Sequence, residues 1–289
     1  MSGNGTDWVQ KGPTIIGSGN DIDIGHSIWM PHKNTLSIGI PKNGSFGNAG
    51  TVRVYNWDGT AWNQKGVEFN GTSPQQIGYS VCMPDTNTLA FGGYRDSTNG
   101  VAAGVVKIYS WNGNNWVQKG DSIVGESASN LSGYAISMPD TNTIAIGAPL
   151  MMTMELILVM CAFIHGTAPI GCKKERTLMG QQRMMSLDIQ LACPTAIPWP
   201  LGRRQERGSA GLKAGYVRIF RWDGAAWNQW GNDIIGDSAE FLSGYAVAMV
   251  EAGIVAIGSP GSRFASKLPF EGKVKVFTLC NTVYDTIAD

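Results

Sequence analysis

Alternating apolar and polar residues mark four short stretches of this chain. Each stretch follows a glycine, as in Gly50-Thr-Val-Arg-Val-Tyr, and the pattern returns after Gly104, Gly215 and Gly272. A period of two is typical of a β-strand with one buried face. The pattern therefore predicts a strand after each glycine, whereas no segment outside the middle of the chain has the spacing of an amphipathic helix.

Three of these strands lead into Trp-Asp-Gly or Trp-Asn-Gly and then into a second tryptophan. Glycine and asparagine accept a positive φ at low cost, which favours a tight hairpin turn. Two further apolar blocks, headed by Gly78-Tyr-Ser and Asn87-Thr-Leu in one copy, precede each alternating strand. Each unit is therefore predicted to hold four short strands joined by turns.

Tryptophans and glycines at fixed positions mark the repeat. Trp8, Trp62 and Trp116 lie 54 residues apart, and Trp227 follows after 111 residues, close to two periods. The full set of repeat markers is Trp8, Trp57, Trp62, Trp111, Trp116, Trp222, Trp227, Gly50, Gly104 and Gly215. Four-stranded units of this length are typical of a β-propeller, because one unit needs a neighbour to bury its apolar face.

The chain between Trp116 and Trp227 is long enough for one additional repeat, but the residues there do not match the repeat sequence. This window holds seven of the twelve methionines. The prediction divides the chain into repeats one to three in residues 1–149, the window 150–212, and a last repeat in 213–289. The predicted fold is all-β: a β-propeller of about five ~54-residue units, either a fragment or a propeller with one disrupted blade.

The window is interpreted as the same repeat translated in a shifted reading frame over about residues 150–208. Ile170-Gly-Cys-Lys-Lys-Glu can be encoded ATT GGG TGC AAA AAG GAG. Read from the last base of a preceding CCA proline codon, this DNA encodes Asn-Trp-Val-Gln-Lys-Gly, with the tryptophan close to its expected place 54 residues after Trp116. Three other stretches return repeat sequence in the same way. The alternative is a genuine inserted segment.

If the window is as written, it cannot supply the alternating strands of a blade. The half-units on either side of residues 150–212 are then expected to lack strand partners and to expose apolar edges. The window itself is expected to be irregular or disordered.

Composition narrows the function classes. The net charge is zero, which gives no electrostatic footprint for nucleic acid. The apolar run 151–164 is shorter than the ~20 residues of a membrane-spanning helix and contains Glu155. Outside the window only Cys82 and Cys280 remain, so neither a zinc site nor a disulfide framework is predicted. We therefore expect no metal, no cofactor and no membrane span.

The first residues of the chain match the turn that precedes Trp62, so the sequence begins in the middle of a repeat. They lack the charged stretch and apolar core of a secretory leader. Two interpretations stay open. The strand at Trp8 completes the last blade and closes a ring, or the chain is part of a longer repeat array, which is the favoured interpretation.

The blocks Gly78-Tyr-Ser-Val, Asn87-Thr-Leu-Ala-Phe-Gly-Gly and Gly104-Val-Val-Lys-Ile-Tyr together resemble the FG-GAP repeat of integrin-alpha-type β-propellers. Stretches in place of that family's Phe-Gly and Gly-Ala-Pro elements are Ile77-Gly78, Ser132-Gly133, Gly147-Ala-Pro149, Gly39-Ile-Pro41 and Gly258-Ser-Pro260. The resemblance implies adhesion or ligand recognition outside the cell or at its surface.

Family members that bind calcium carry an Asp-rich loop between the first two strands of a repeat. Here Pro84-Asp85-Thr-Asn87 and Pro139-Asp140-Thr-Asn142 occupy that place. These turns are too short and too poor in carboxylates to supply six or more oxygen ligands. Calcium is therefore not expected.

Other candidate sites are better explained by structural roles. Asp21 and Asp23 could bind a cation, but the other repeats have no such pair, so we interpret them as solvated turn carboxylates. His26 and His32 have no nucleophile or third partner at a recognisable spacing, so no catalytic residue is predicted. The tryptophans could stack on sugars, but packing between blades is the favoured role.

Three function classes remain. The favoured class is a non-catalytic interaction or adhesion module that binds a protein or glycan through the variable loops 42–49, 94–103 and 261–271. The alternative is a lectin-like propeller that binds glycans on Trp57 or Trp111. A propeller enzyme is least favoured, because few non-repeated polar residues are present to converge in a central channel.

Overall fold

The computed structural model describes residues 9–17, 21, 23–42, 48–149, 214–236, 242–260 and 272–279. Throughout these residues every regular element is a β-strand, and none is a helix. The prediction of an all-β fold is thus confirmed for this part of the chain. Trp8, the whole of loop 261–271 and the whole window 150–212 lie outside the described residues.

The described strands form four antiparallel sheets, numbered here in chain order. Sheet 1 contains β1 (Ser27–His32), β2 (Thr35–Ile40), β3 (Thr51–Trp57), β4 (Trp62–Gln64) and β5 (Phe69–Asn70). Sheet 2 contains β6 (Ser80–Cys82), β7 (Thr88–Gly93), β8 (Val105–Trp111), β9 (Trp116–Gln118) and β10 (Ile123–Val124). Sheet 3 contains β11 (Ala135–Asp140), β12 (Thr143–Ala148), β13 (Tyr216–Trp222), β14 (Trp227–Gln229) and β15 (Ile234–Ile235). Sheet 4 contains β16 (Ala246–Glu251), β17 (Ile254–Ser259) and β18 (Lys273–Thr278).

Each of the first three sheets is an up-and-down meander of four strands. The third strand also pairs with a two-residue fifth strand, as β3 does with β5 at Thr51 and Val52. The predicted four strands per unit are present, and the fifth was not foreseen because two residues carry no readable period. In sheet 4 the described residues supply three strands.

Neighbouring sheets bury apolar side chains between them. Val52 and Val54 of β3 pack with Leu89 and Phe91 of β7 in the first of three cores. Equivalent residues of sheets 2 and 3, and of sheets 3 and 4, form the other two cores. The first strands β1, β6, β11 and β16 contact one another in that order. Repeated four-stranded sheets in face-to-face contact are consistent with a β-propeller-like arrangement.

The glycine markers Gly50, Gly104 and Gly215 stand where each unit touches the next. Gly50 has a φ of 84°, and an added Cβ would lie 2.2 Å from the carbonyl oxygen of Ile77 in the following unit. Each of the three glycines forms a parallel bridge to that unit. A side chain at these positions would push neighbouring units apart, which explains the glycine physically.

The strands on the two sides of the window pair with each other. Residues of β12, from Thr143 to Ala148, pair in unbroken register with β13, from Arg221 to Tyr216. The expectation that these half-units lack strand partners is therefore wrong. The corresponding loops 41–50, 94–104 and 260–272 are short, whereas 67 residues, 149–215, connect β12 to β13. The strands can still pair because the entropic cost of closing a loop grows only slowly with the length of the loop.

Candidate binding face

One edge of each sheet carries both a variable loop and the start of the first strand. In sheet 1, Ser27 pairs with Gly39 and Ile40 pairs with Thr51, so loop 41–50 lies beside the residues that precede β1. We call this side the loop edge. The opposite side, where Trp57 pairs with Trp62, is called the hairpin edge.

At the loop edge, four aromatic rings form a continuous row, one from each sheet. The aromatic row consists of His26, Tyr79, Tyr134 and Tyr245. Successive ring centroids lie 4.6, 4.7 and 4.9 Å apart, and the rings are tilted by 43–49°. Each ring directly precedes a first strand, and contact between those strands brings the four rings together.

The aromatic row is only partly covered. Tyr79 and Tyr134 are half-buried, while His26 is exposed and Tyr245 is 42 % exposed. Tyr94, from loop 94–103, packs beside the row with its centroid 4.4 Å from that of Tyr79. A variable loop that was predicted to bind ligand thus contributes a ring to this surface.

The hydroxyls of Tyr79 and Tyr134 remain protonated at neutral pH. Burial raises the pKa of Tyr79. The pKa of Tyr134 is raised first by burial and then by hydrogen bonds to the hydroxyls of Tyr245 and Tyr79. The row therefore offers neutral hydroxyl groups and apolar ring faces, a combination that suits hydrogen bonding and stacking with an uncharged polar ligand.

Charged groups flank the row. The Lys42 ammonium lies 3.1 Å from the Asp23 carboxylate. The Arg95 guanidinium stacks 5.6 Å from the Tyr94 ring centroid, and its Nε donates to the Tyr94 hydroxyl at 3.2 Å. The positive charge of Lys42 is thus partly neutralised by Asp23, while Arg95 lies against the Tyr94 ring.

At the hairpin edge, a pair of tryptophans in one unit contacts a lysine near the end of the preceding unit. The Lys65 ammonium lies 5.0 and 5.1 Å from the rings of Trp111 and Trp116, and donates to Thr86 O at 2.6 Å and Asn87 Oδ1 at 2.8 Å. Trp116 Nε1 donates in return to Lys65 O at 2.9 Å. Burial lowers the pKa of Lys65.

This arrangement recurs at Lys11, on Trp57 and Trp62, and at Lys119, on Trp222 and Trp227. A sugar that stacked on these tryptophans would compete with a lysine for the ring face that its ammonium group covers. The tryptophan-based lectin hypothesis gains no support from this geometry, and the markers lie where the predicted packing role would place them.

The contact between sheets 3 and 4 uses different residues at the same positions. Trp230 replaces the lysine, Leu279 replaces the first tryptophan, and Gly253 replaces the asparagine. The backbone contact is kept, because Leu279 N donates to Gly253 O at 2.8 Å as Trp111 N does to Asn87 O. Without an ammonium group, neither a tryptophan pair nor an amide acceptor is needed.

The candidate carboxylates have structural partners. Asp21 is buried and forms an ion pair with Arg53 at 2.8 Å, so the interpretation of Asp21 as a solvated residue is wrong. Its partner Arg53 lies on the face of β3 opposite to Val52 and Val54, and sequence spacing does not reveal this long-range contact. Asp85 and Asp140 accept hydrogen bonds from the amides of Asn87 and Asn142 and close their turns.

The remaining candidates are dispersed. His32 is exposed at the end of β1, on the other side of the sheet from His26. Cys82 is buried, and burial raises the pKa of its thiol to about 11. Within the described ranges, His, Cys, Asp and Glu side chains form no group of three that could hold a metal ion.

Sequence reasoning missed the aromatic row as a site. The signal was available, since Gly25, Gly78, Gly133 and Gly244 are each followed by histidine or tyrosine. A repeated aromatic residue at the start of a first strand becomes a row only when those strands meet, which is a tertiary contact.

A scan against models of known protein families gives no match, and a search of curated proteins finds no significant relative. No described helix is long and apolar enough to cross a membrane.

Proposed function

We propose that the protein is a non-catalytic recognition module that binds a partner at the loop edge through the aromatic row. In this proposal the sheets are blades of an FG-GAP-like β-propeller with about five units, counting the shifted window, and the setting is extracellular or at the cell surface. The observation that carries the proposal is the row itself: four rings from four sheets within 4.9 Å of their neighbours, open to solvent at both ends.

The composition of the row supports a protein partner. Tyrosine side chains present a large contact area at low conformational cost and are enriched in protein interfaces. Strand starts fix Tyr79 and Tyr134, while loop 94–103 supplies Tyr94. A rigid aromatic base with variable loops beside it is a common arrangement for binding surfaces.

A glycan is the second candidate ligand. The partly open ring faces and neutral hydroxyls of Tyr79 and Tyr134 favour it, because sugars stack on aromatic faces and hydrogen-bond to such groups. This version places the sugar at the loop edge and leaves the tryptophans as packing residues.

Peptide and glycan arrays probed with the fluorescently labelled protein test the proposal. We expect Tyr134→Ala to weaken the binding of any array ligand by at least roughly tenfold, the loss of one interface anchor. Tyr134→Phe separates the contribution of the hydroxyl from that of the ring. Val67→Ala, at an exposed site in the connection between β4 and β5, is the control. Equal binding by Tyr134→Ala and wild type, or no wild-type binding to either array, would overturn the proposal.

A further inference from the structure

The outer face of sheet 4 exposes residues that are buried in every other sheet. Val274 and Val276 of β18 are 77 % and 67 % exposed. The matching residues of β3, β8 and β13 are 0–8 % exposed and pack against the following sheet: Val52, Val54, Val106, Ile108, Val217 and Ile219. Sheet 4 therefore has the apolar face that packs against a following sheet elsewhere in the molecule, but no described sheet covers it.

Sheet 1 exposes the complementary half. Ile28 and Met30 of β1 are 61 % and 53 % exposed. The matching pair in sheet 2, Val81 and Met83, is 6 % and 1 % exposed and packs against sheet 1. The face of sheet 1 is therefore of the type that receives the third strand of a preceding sheet.

Sheet 4 lacks a described fourth strand, and the residues that match a fourth strand lie before sheet 1. β3, β8 and β13 each pair with a fourth strand, whereas no described strand lies on the free side of β18. Val9 and Gln10 match the fourth-strand residues Val117 and Gln118 but lie in no strand. The Gln10 side chain already donates to Gly12 O at 2.9 Å, as Gln118 does to Gly120 O at 3.0 Å.

We propose that copies of this chain associate head to tail, with sheet 4 of one copy packed against sheet 1 of the next. Val274 and Val276 would cover Ile28 and Met30, and the segment at Val9 would add to β18 as its fourth strand. By analogy with the pairing of Ser110 with Val117, Thr278 would pair with Val9.

A second copy fits these faces better than an unrelated partner. The chain shows three times, within itself, that a face of the sheet 4 type packs against a face of the sheet 1 type. Both faces are exposed on the same molecule, so the described residues do not cover them by closing on themselves. Because the two faces differ, the contact is heterologous, and copies form a closed ring or a growing series.

The test is the mass of the purified 31.0 kDa chain in solution, measured by light scattering and sedimentation velocity at several concentrations. We expect assemblies of two or more copies. Val276→Glu blocks one face and Met30→Glu blocks the other, and each variant should be monomeric, since a buried unpaired carboxylate weakens association by roughly 100-fold or more. Val67→Glu adds the same charge at a comparably exposed valine and should assemble like the wild type.

Mixing the two blocked variants gives the decisive outcome. Val276→Glu retains an intact sheet 1 face and Met30→Glu retains an intact sheet 4 face, so together they should form a one-to-one dimer that grows no further. A wild-type chain that stays monomeric at all concentrations would overturn the proposal. So would a Val276→Glu variant that still self-associates, because that result would indicate contact between two like faces. Circular dichroism of each variant verifies that it is folded.

Discussion

The side-chain hydroxyl of Ser37 is an unfavourable buried polar group in sheet 1. Its side chain is completely buried, and its hydroxyl is the one buried side-chain polar atom without a hydrogen-bond partner in the described part of the chain. The three other repeats have alanine at this position: Ala90, Ala145 and Ala256. Sheet 1 therefore contains a desolvated hydroxyl that the other sheets avoid.

Replacing Ser37 by alanine should stabilise the protein. The change removes an unsatisfied buried hydroxyl and is expected to raise the free energy of unfolding by about 1 kcal/mol. Ser137→Ala is the matched control, because this buried hydroxyl accepts a hydrogen bond from the Met249 amide at 2.9 Å, and its loss should destabilise. Urea denaturation followed by tryptophan fluorescence measures both. A destabilised Ser37→Ala variant would contradict this account.

Acid should destabilise the protein because it protonates carboxylates that form ion pairs with arginines. Asp233 accepts two hydrogen bonds from Arg218, and these lower its pKa; Arg53 does the same for Glu68. A lowered folded-state pKa means that the stabilisation is present above the unfolded value of about 4 and is lost as the pH falls further.

Denaturation at pH 7, 5, 4 and 3 measures this effect. The free energy of unfolding should decrease as the pH falls below about 4. Asp233→Asn should reduce stability at pH 7 and flatten the acid dependence. An unchanged slope in this variant would show that Asp233 carries no part of the effect.

At the scale of the element, lysine and tryptophan residues join one sheet to the next. Lys65→Met removes an ammonium group that contacts Trp111 and Trp116 and donates to Thr86 and Asn87. We expect a loss of about 1–2 kcal/mol from the free energy of unfolding.

The control for this variant is Lys33→Met, a change at an exposed lysine that should alter stability by less than about 0.5 kcal/mol. Trp230→Lys should also destabilise, because its site has Leu279 and Gly253 in place of a tryptophan and an asparagine. Thermal denaturation compares all three variants. A Lys65→Met variant as stable as Lys33→Met would refute the contact as a source of stability.

The strands were readable from the sequence, and their contacts across sheets were not. Alternation and turn residues predict β3 and its hairpin, because period and turn chemistry are local. The ion pair of Asp21 with Arg53 and the contact of Tyr79 with Tyr134 depend on which faces of two sheets meet. Repeat alignment places the tyrosines at one position but does not bring them within contact distance.

At the scale of the whole molecule, the connection between β12 and β13 is the main irregularity. Deletion of residues 153–207 would leave a 12-residue connection, 149–152 with 208–215, similar to loops 41–50, 94–104 and 260–272. Shortening the loop from 67 to 12 residues should stabilise the pairing by about 1.5 kcal/mol through loop entropy.

The deleted variant should therefore fold, with a higher denaturation midpoint than the full chain. Circular dichroism and urea denaturation check this expectation. A variant that is insoluble or unfolds without a cooperative transition would show that the removed residues are required for the fold. Deletion of residues 88–111, which removes β7 and β8 from sheet 2, should abolish folding and serves as the control.

The long connection between β12 and β13 also has a consequence in time. A ribosome that adds about 5–20 residues per second reaches β13 roughly 3–13 s after it completes β12, whereas it reaches β3 about 0.5–2 s after it completes β2. Throughout that interval, β12 of the nascent chain presents an open edge next to the apolar residues Ile144 and Ile146. Chaperone supply and growth temperature during synthesis should then decide the yield of soluble protein more than the stability of the finished sheets.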